Sequence, residues 1–175
     1  STSTGQLFFD NCIVPEENLV GEEGRGFRYL METLDGGRIS HGARSLGSAE
    51  AAFDATLKFA QERVQFGQPI ATFQSISFRL AHLATELEAA KWLLYHSAWL
   101  YDQGKPCTKE ASMSKLFCSE VGQHVVSEAM QIHGGAAILE DSVIHRYYRD
   151  SRLLTLTEGT SEIQQLVIAR QLGIR

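Results

Sequence analysis

The sequence predicts an all-α protein, an up-and-down four-helix bundle with a short strand or linker ahead of it. Two features carry that reading. Beyond residue 26, apolar residues recur at spacings of three and four through most of the chain. The periodic runs are separated by short breaks holding glycine or proline, the connections that antiparallel neighbours need. A chain of 175 residues that is 43% hydrophobic and 21% charged can bury one substantial core and is not disordered as a whole.

Gln6–Val14 is a short apolar stretch closed by Pro15, with Gly21, Gly24 and Gly26 following, and it predicts one strand and a turn-rich connector. A lone strand is unstable in water, so its sheet partners are expected outside this chain. The first helical stripe is Leu46, Ala49, Phe53, Leu57, Ala60 and Val64. The second is Ile76, Leu80, Leu83, Leu87, Ala90, Leu94, Ala98 and Tyr101, stopped by Gly104 and Pro106. Thr108 is placed to cap a third helix, whose core stripe is Met113, Leu116, Phe117, Val121, Val125, Ala129 and Ile132 and which Gly134 and Gly135 end. A shorter helix is predicted from Ser142 to Arg152. A last one starts at Thr160 or Ser161, carries Ile163, Leu166 and Val167, and closes at Gly173.

The net charge of −5, with no polybasic block, argues against nucleic acid or an anionic membrane as the main partner. No apolar run is long enough to span a bilayer, and the N-terminus has no signal-peptide pattern. The three cysteines, Cys12, Cys107 and Cys118, form no CxxC pair and cannot all be bridged, so they read as reduced thiols of an intracellular protein. A bundle rich in histidine and acid could also be a di-iron protein, which needs Glu-x-x-His pairs on facing helices. None of His41, His82, His96, His124, His133 and His145 has a glutamate three residues before it; Glu120 and His124, four apart, give one possible ligand pair. No metal site is expected.

Three segments carry chemistry. Thr157-Glu158-Gly159-Thr160-Ser161-Glu162-Ile163-Gln164 puts a carboxylate beside a glycine just before a helix. An acid there is stabilised by the helix dipole in any protein, and it can equally be held against a ligand as a general base. Arg63-Val64-Gln65-Phe66-Gly67, with Gln74, reads plainly as a helix end and loop. The same residues offer a guanidinium fork for pyrophosphate, an aromatic face and a two-way amide. Gln131-Ile132-His133-Gly134-Gly135 reads as a helix C-cap, or as bare backbone that lets a ligand come close.

In that order and at those separations the three segments resemble the C-terminal domain of the acyl-CoA dehydrogenases, from about Phe9 to the last residue. The resemblance implies that residues 1–25 are the end of a middle β-domain with a linker, and that residues 26–175 are the helical-bundle domain. It implies FAD as cofactor and α,β-dehydrogenation of acyl-CoA to trans-2-enoyl-CoA. Glu158 matches the base that removes the α-proton. Some relatives keep the base on the first long helix directly before an arginine, a place occupied here by Gly37, ahead of Arg38. Gly159, Asp35, Arg38 and Arg170 match residues near the thioester and CoA. Thr160, Ser161 and Glu162 match flavin contacts, Glu162 standing where some relatives have glutamine. Arg63, Gln65, Phe66 and Gln74 match residues that reach the flavin of a neighbouring subunit, and Gln131, Gly134 and Gly135 match a segment along the adenine side of the flavin, so the resemblance implies a homo-oligomer, a dimer or dimer of dimers.

An electron-transfer flavoprotein is the implied re-oxidant, and a bacterial cytoplasm or mitochondrial matrix the implied compartment. Alternatives within the superfamily are a flavin oxidase or monooxygenase, or a non-catalytic member kept for oligomerisation or acyl-CoA binding. Two departures from the family pattern, Ala136–Ser142 after the glycines and Thr157 in place of an aromatic residue, imply an altered acyl pocket. The chain starts at Ser1 without a methionine and is expected to be a piece of a longer protein. Alone it is expected to bind FAD weakly or not at all, to show no turnover, and to self-associate through an exposed apolar face.

Overall fold

The computed structural model describes residue 3 and residues 5–174. Five α-helices account for most of it: α1 (Gly26–Glu62), α2 (Gln74–Asp102), α3 (Thr108–His133), α4 (Val143–Ser151) and α5 (Ser161–Gln171). A two-residue hairpin joins α1 to α2, with β1 (Val64–Gln65) antiparallel to β2 (Gln68–Pro69). Among the described residues no helix is long and apolar enough to cross a membrane.

Helix directions follow from which residues meet. At one end of α1, Gly36 faces Tyr101 of α2, while at the other Ala60 clusters with Leu80, so α1 and α2 are antiparallel. Ser45 donates from its hydroxyl to the Cys118 carbonyl of α3 at 3.0 Å, and Ala60 clusters with Ile132, so α1 and α3 run parallel. The seam between those two is lined on α1 by Gly42, Ser45, Ala49, Ala52, Thr56 and Ala60, all buried. Small side chains at this spacing let two backbones approach closely. Gly122 of α3 answers them, for a Cβ there would run into the Ser45 hydroxyl.

The predicted stripe of α2 is buried from Leu80 through Leu94. That of α3 holds only in its second half, where Val121, Val125, Ala129 and Ile132 are buried. In the first half Ala111, Ser112, Ser114, Lys115, Cys118 and Ser119 are buried instead, and Phe117 is 39% exposed. Close packing on α1 and α2 selects small side chains there. Their hydroxyls are satisfied locally, Ser114 donating to Ala111 O at 3.0 Å and Ser112 to Thr108 O at 2.8 Å.

Two further expectations are corrected. No strand forms over Gln6–Val14, where Leu7, Phe8, Phe9 and Ile13 lie at 77–93% exposure with no neighbouring strand among the described residues to complete a ladder. Thr108 does not cap α3. Cys107 is the N-cap residue without a side-chain bond, and the Thr108 hydroxyl donates to Asp35 Oδ2 at 2.6 Å.

Gly122→Leu should overfill the α1–α3 seam and lower stability by about 1–3 kcal/mol. Gly47, on the exposed side of α1 with nothing within 4 Å of an added Cβ, provides the control. Gly47→Ala should stabilise by up to ~1 kcal/mol, because glycine is the poorer helix former. Urea unfolding midpoints of both variants check the pair.

Candidate functional site

The turn between α4 and α5 is where the Glu-Gly-Thr-Ser segment is shaped. After α4, a 3₁₀ turn over Arg152–Thr155 leads into Thr157, whose hydroxyl donates to the Leu153 carbonyl at 3.1 Å. Thr160 is the N-cap of α5, its Oγ1 accepting from Ile163 N at 3.4 Å. Between them Glu158 has φ 55° and Gly159 φ 90°, two successive left-handed residues. For glycine that conformation is free. For glutamate it costs roughly 1–2 kcal/mol, so the surroundings must impose it.

Two side chains do so. Gln164, fully buried, donates from Nε2 to Glu158 O at 2.9 Å and to Gly159 O at 3.0 Å. Lys115, also fully buried, donates from Nζ to Gly159 O at 2.8 Å. A Cβ on Gly159 would lie 2.8 Å from Gln164 Nε2 and 3.0 Å from Ile163 Cγ2, so space as well as φ demands glycine. Beside the turn, Ser161 donates to Glu120 Oε1 at 2.5 Å.

The carboxylate of Glu158 points at α1. A Cβ on Gly37 would lie 2.6 Å from Glu158 Oε2, so the acid fills the space a side chain at position 37 would need. Next to it Arg38 is buried, with Nη1 3.1 Å from Asp35 Oδ1 and its Nε without a hydrogen-bond partner among the described residues. Asp35 thereby holds both Arg38 and Thr108, tying α1 to the start of α3.

Burial pulls the Lys115 ammonium below its ordinary range. Glu120, Glu158 and Glu162 act against that shift, and Arg38 adds to it. Glu162 is held below the usual carboxylate range chiefly by its hydrogen bond with Thr160, then by its own backbone N–H, with Arg152 and Lys115 adding to the effect. Its side chain therefore serves as an acceptor at the mouth of α5. Glu158 itself is half-buried, fixed yet reachable.

A second group gathers at the opposite end of the bundle. Phe66 (φ 52°) and Gly67 (φ 82°) form the two-residue turn of the hairpin, the pattern of a type I′ turn. Phe66 is 92% exposed and meets Phe73 edge-on, with ring centroids 6.1 Å apart. A bulky apolar residue in a left-handed conformation, held out in solvent, gains nothing inside this chain. Arg63, Gln65, Gln74 and Gln131 are exposed around it, as are Gly134 (φ 59°) and Gly135. Ser127, Met130, Gln131, Gly134, Ile138 and Tyr148 line an open concavity of about 350 Å³ beside the glycine pair. His133 stacks on Phe59 at 4.1 Å, with its Nε2 buried and unpartnered among the described residues.

The structure thus brings Asp35, Arg38, Gly159, Thr160, Ser161 and Glu162 together with Glu158. It does not bring Arg63, Gln65, Phe66, Gln74, Gln131, Gly134 and Gly135 to them, because the length of α1 between Gly37 and Arg63, about 39 Å at 1.5 Å per residue, separates the groups. Arg170 is exposed near the far end of α5, about 15 Å along the helix from Thr160. Lys115 and Gln164 were not legible as site residues. A signal existed for Lys115, which shares a helical face with Ala111, Cys118 and Gly122.

The Glu120–His124 pair is not formed, since Glu120 takes Ser161 while His124 Nδ1 lies 2.8 Å from Glu86 Oε2. No group of three or more His, Cys, Asp or Glu side chains among the described residues is arranged to hold a metal.

Residues 24–173 match the family model of the acyl-CoA dehydrogenase C-terminal domain. The chain is 47% identical over 171 residues to an acyl-CoA dehydrogenase of Bacillus subtilis, covering 98% of this chain and 45% of that protein. It is 45% identical over 170 residues to the caffeyl-CoA reductase-Etf complex subunit CarC of Acetobacterium woodii, covering 97% of this chain and 45% of that protein. Its fold matches butyryl-CoA dehydrogenase from Megasphaera elsdenii with a TM-score of 0.89 at 45% identity, over 91% of this chain and 42% of that one. The chain spans less than half the length of these curated relatives.

Burial holds the His133 imidazole below its ordinary pKa. Between that depressed value and about 6.5 the unfolded chain binds more protons than the folded one. The contribution to stability is therefore complete above pH 6.5 and is lost as pH falls through that window. His133→Phe keeps the stack on Phe59 and removes the titration. Comparing thermal midpoints at pH 7.5 and pH 5.5 should show a smaller acid loss for the variant than for the parent.

Proposed function

We propose a function from one premise: the chain belongs to the acyl-CoA dehydrogenase family, matching its C-terminal domain. The protein that carries it removes the α-proton of an acyl-CoA thioester with Glu158, forming the trans-2-enoyl-CoA. In this reading residues 26–175 are that domain and residues 1–25 are the end of the preceding β-domain with its linker.

The observation that carries the assignment is the seat of Glu158. Its carboxylate rests against Gly37 on a turn whose shape is imposed by Gln164 and Lys115. A base for a weakly acidic C–H must be held in place and stay ionised until substrate arrives. Here Glu158 Oε2 accepts the α-proton, and the electron pair released from that C–H bond becomes the new C=C bond. When bound, FAD would supply the acceptor for the two electrons of the hydride that leaves the β-carbon. Gly159 keeps the backbone bare where the acyl chain must pass. Arg38, held in place by its ion pair with Asp35, lies on the thioester side, and Arg170 offers positive charge toward the CoA.

The residues present fit a dinucleotide flavin. Thr160, Ser161 and Glu162 would hold it next to Glu158. Arg63, Gln65, Phe66, Gln74, Gln131, Gly134 and Gly135 would hold another copy's flavin at the far end, which accounts for an exposed Phe66 in a strained conformation. The 39 Å separation, about the length of α1 between the groups, supports a homo-oligomer in which each chain serves two flavins. The Etf complex that names the Acetobacterium relative supports an electron-transfer flavoprotein as redox partner.

The test is an anaerobic mix of the full-length, flavin-loaded protein with a panel of acyl-CoAs, watching flavin absorbance. Bleaching should occur with at least one thioester and disappear in Glu158→Gln with flavin still bound. Absence of bleaching with every thioester would reject the dehydrogenase reading. Gly37→Ala, whose Cβ crowds Oε2, should lower kcat by roughly 10²-fold through misplacement of the base, with little change in KM.

A further inference from the structure

Lysine is almost never fully buried without a pairing group. Lys115 is wholly buried, and its ammonium is spent on a peptide carbonyl, that of Gly159, at 2.8 Å. That carbonyl does not need it, because Gln164 Nε2 already donates to the same oxygen at 3.0 Å. Satisfaction of a buried acceptor therefore does not explain the residue. Burying an ammonium is costly, and an aliphatic side chain of similar length would fill the space at lower cost.

The two donors differ in where they come from. Gln164 is six residues from Glu158, at the start of α5, and moves with the turn it binds. It fixes the internal shape of the turn. Lys115 lies 44 residues away from Gly159, on α3, which packs along α1 through the small-residue seam. It fixes where the turn sits on the bundle, and so how the Glu158 carboxylate meets Gly37. The Ser161–Glu120 bond pulls the start of α5 to the same stretch of α3, just beyond the turn.

We infer that Lys115 is a positioning residue for Glu158: by clamping the Gly159 carbonyl from α3 it holds the left-handed Glu158-Gly159 pair, and with it the catalytic carboxylate, in register with α1. The inference rests on the reading of Glu158 as the base. Lys115 does not touch the reacting atoms. It acts through the backbone of the turn, so its loss appears in the chemical step and not in substrate affinity.

The experiment is a double-mutant cycle in the full-length, flavin-loaded protein. Lys115→Met removes the charge and the donor but leaves Gly159 O bonded to Gln164, so the fold persists, which urea unfolding verifies. In the parent background Lys115→Met should lower kcat by roughly 10- to 100-fold, with KM within about threefold, as expected for a base displaced by an ångström or less. In a Glu158→Gln background it should cost nothing more. Exchange of the thioester α-proton with deuterated solvent, followed by mass, should slow by the same factor and reads the base without turnover.

A Lys115→Met protein with kcat and exchange within twofold of the parent overturns the proposal. So does a loss that multiplies with that of Glu158→Gln, which would make Lys115 independent of the base. If Glu158→Gln itself leaves turnover and exchange intact, the base assignment falls, separately from the clamp. Should the Met variant fail to fold, Lys115→Leu, which also lacks the donor, is measured by the same criteria.

Discussion

The closeness of α1 to α3 governs the Glu158 end of the molecule. Gly42, Ser45, Ala49, Ala52, Thr56 and Ala60 on one helix, and Gly122 with its neighbours on the other, bring two long backbones together. Because the helices are parallel, their N-terminal ends meet at one end of the bundle. Asp35 can then reach Thr108, and Lys115 can lie beneath a turn that faces Gly37. A bulkier seam would separate Glu158 from α1 and leave the Lys115 clamp holding the turn in the wrong place.

That closeness has an electrostatic consequence. The buried face of the first half of α3 is made of serines, alanine, cysteine and one lysine, with little apolar bulk. Hydroxyls there bond to carbonyls of their own helices, and burial pushes the Cys118 thiol up to about 12, leaving it a neutral packing group. Lys115 is the exception, a charged group that donates to the carbonyl of the distant Gly159. Its charge is offset by Glu120 on its own helix and by Glu158 and Glu162, which the turn and the start of α5 bring near. A cation under the Glu158 turn and anions around it form one unit, in which moving any member changes the field on the others.

The opposite end is built on different principles. It presents exposed side chains on a hairpin and bare backbone at the end of α3, with little of its own chain to pack against. Phe66 shows this most clearly, since its conformation is strained and its ring is in water. Such a surface makes sense where another molecule completes it. One rigid helix, α1, sets the spacing between this surface and Glu158, so the two ends cannot drift relative to each other.

Much of this was legible in the residues themselves. Three- and four-residue periodicity placed α2 and the second half of α3, glycines marked the ends of α3 and α5, and the Glu-Gly-Thr-Ser segment identified the turn with its acid. Local physics sets those features: side-chain burial on one helical face, and the left-handed freedom of glycine. The strand expected over Gln6–Val14 failed because a strand depends on neighbours the local sequence does not encode. Thr108 failed as a cap because Asp35, 73 residues away, competes for its hydroxyl. Lys115 and Gln164 stayed hidden for the same reason, since a lysine or glutamine on a helix is ordinarily solvated and only packing buries it. The sequence by itself determined which residues could form helices and which acid stands at the turn before α5. The tertiary structure decided where that acid stands, because contacts between α1, α3 and the α4–α5 turn exist only once distant segments meet.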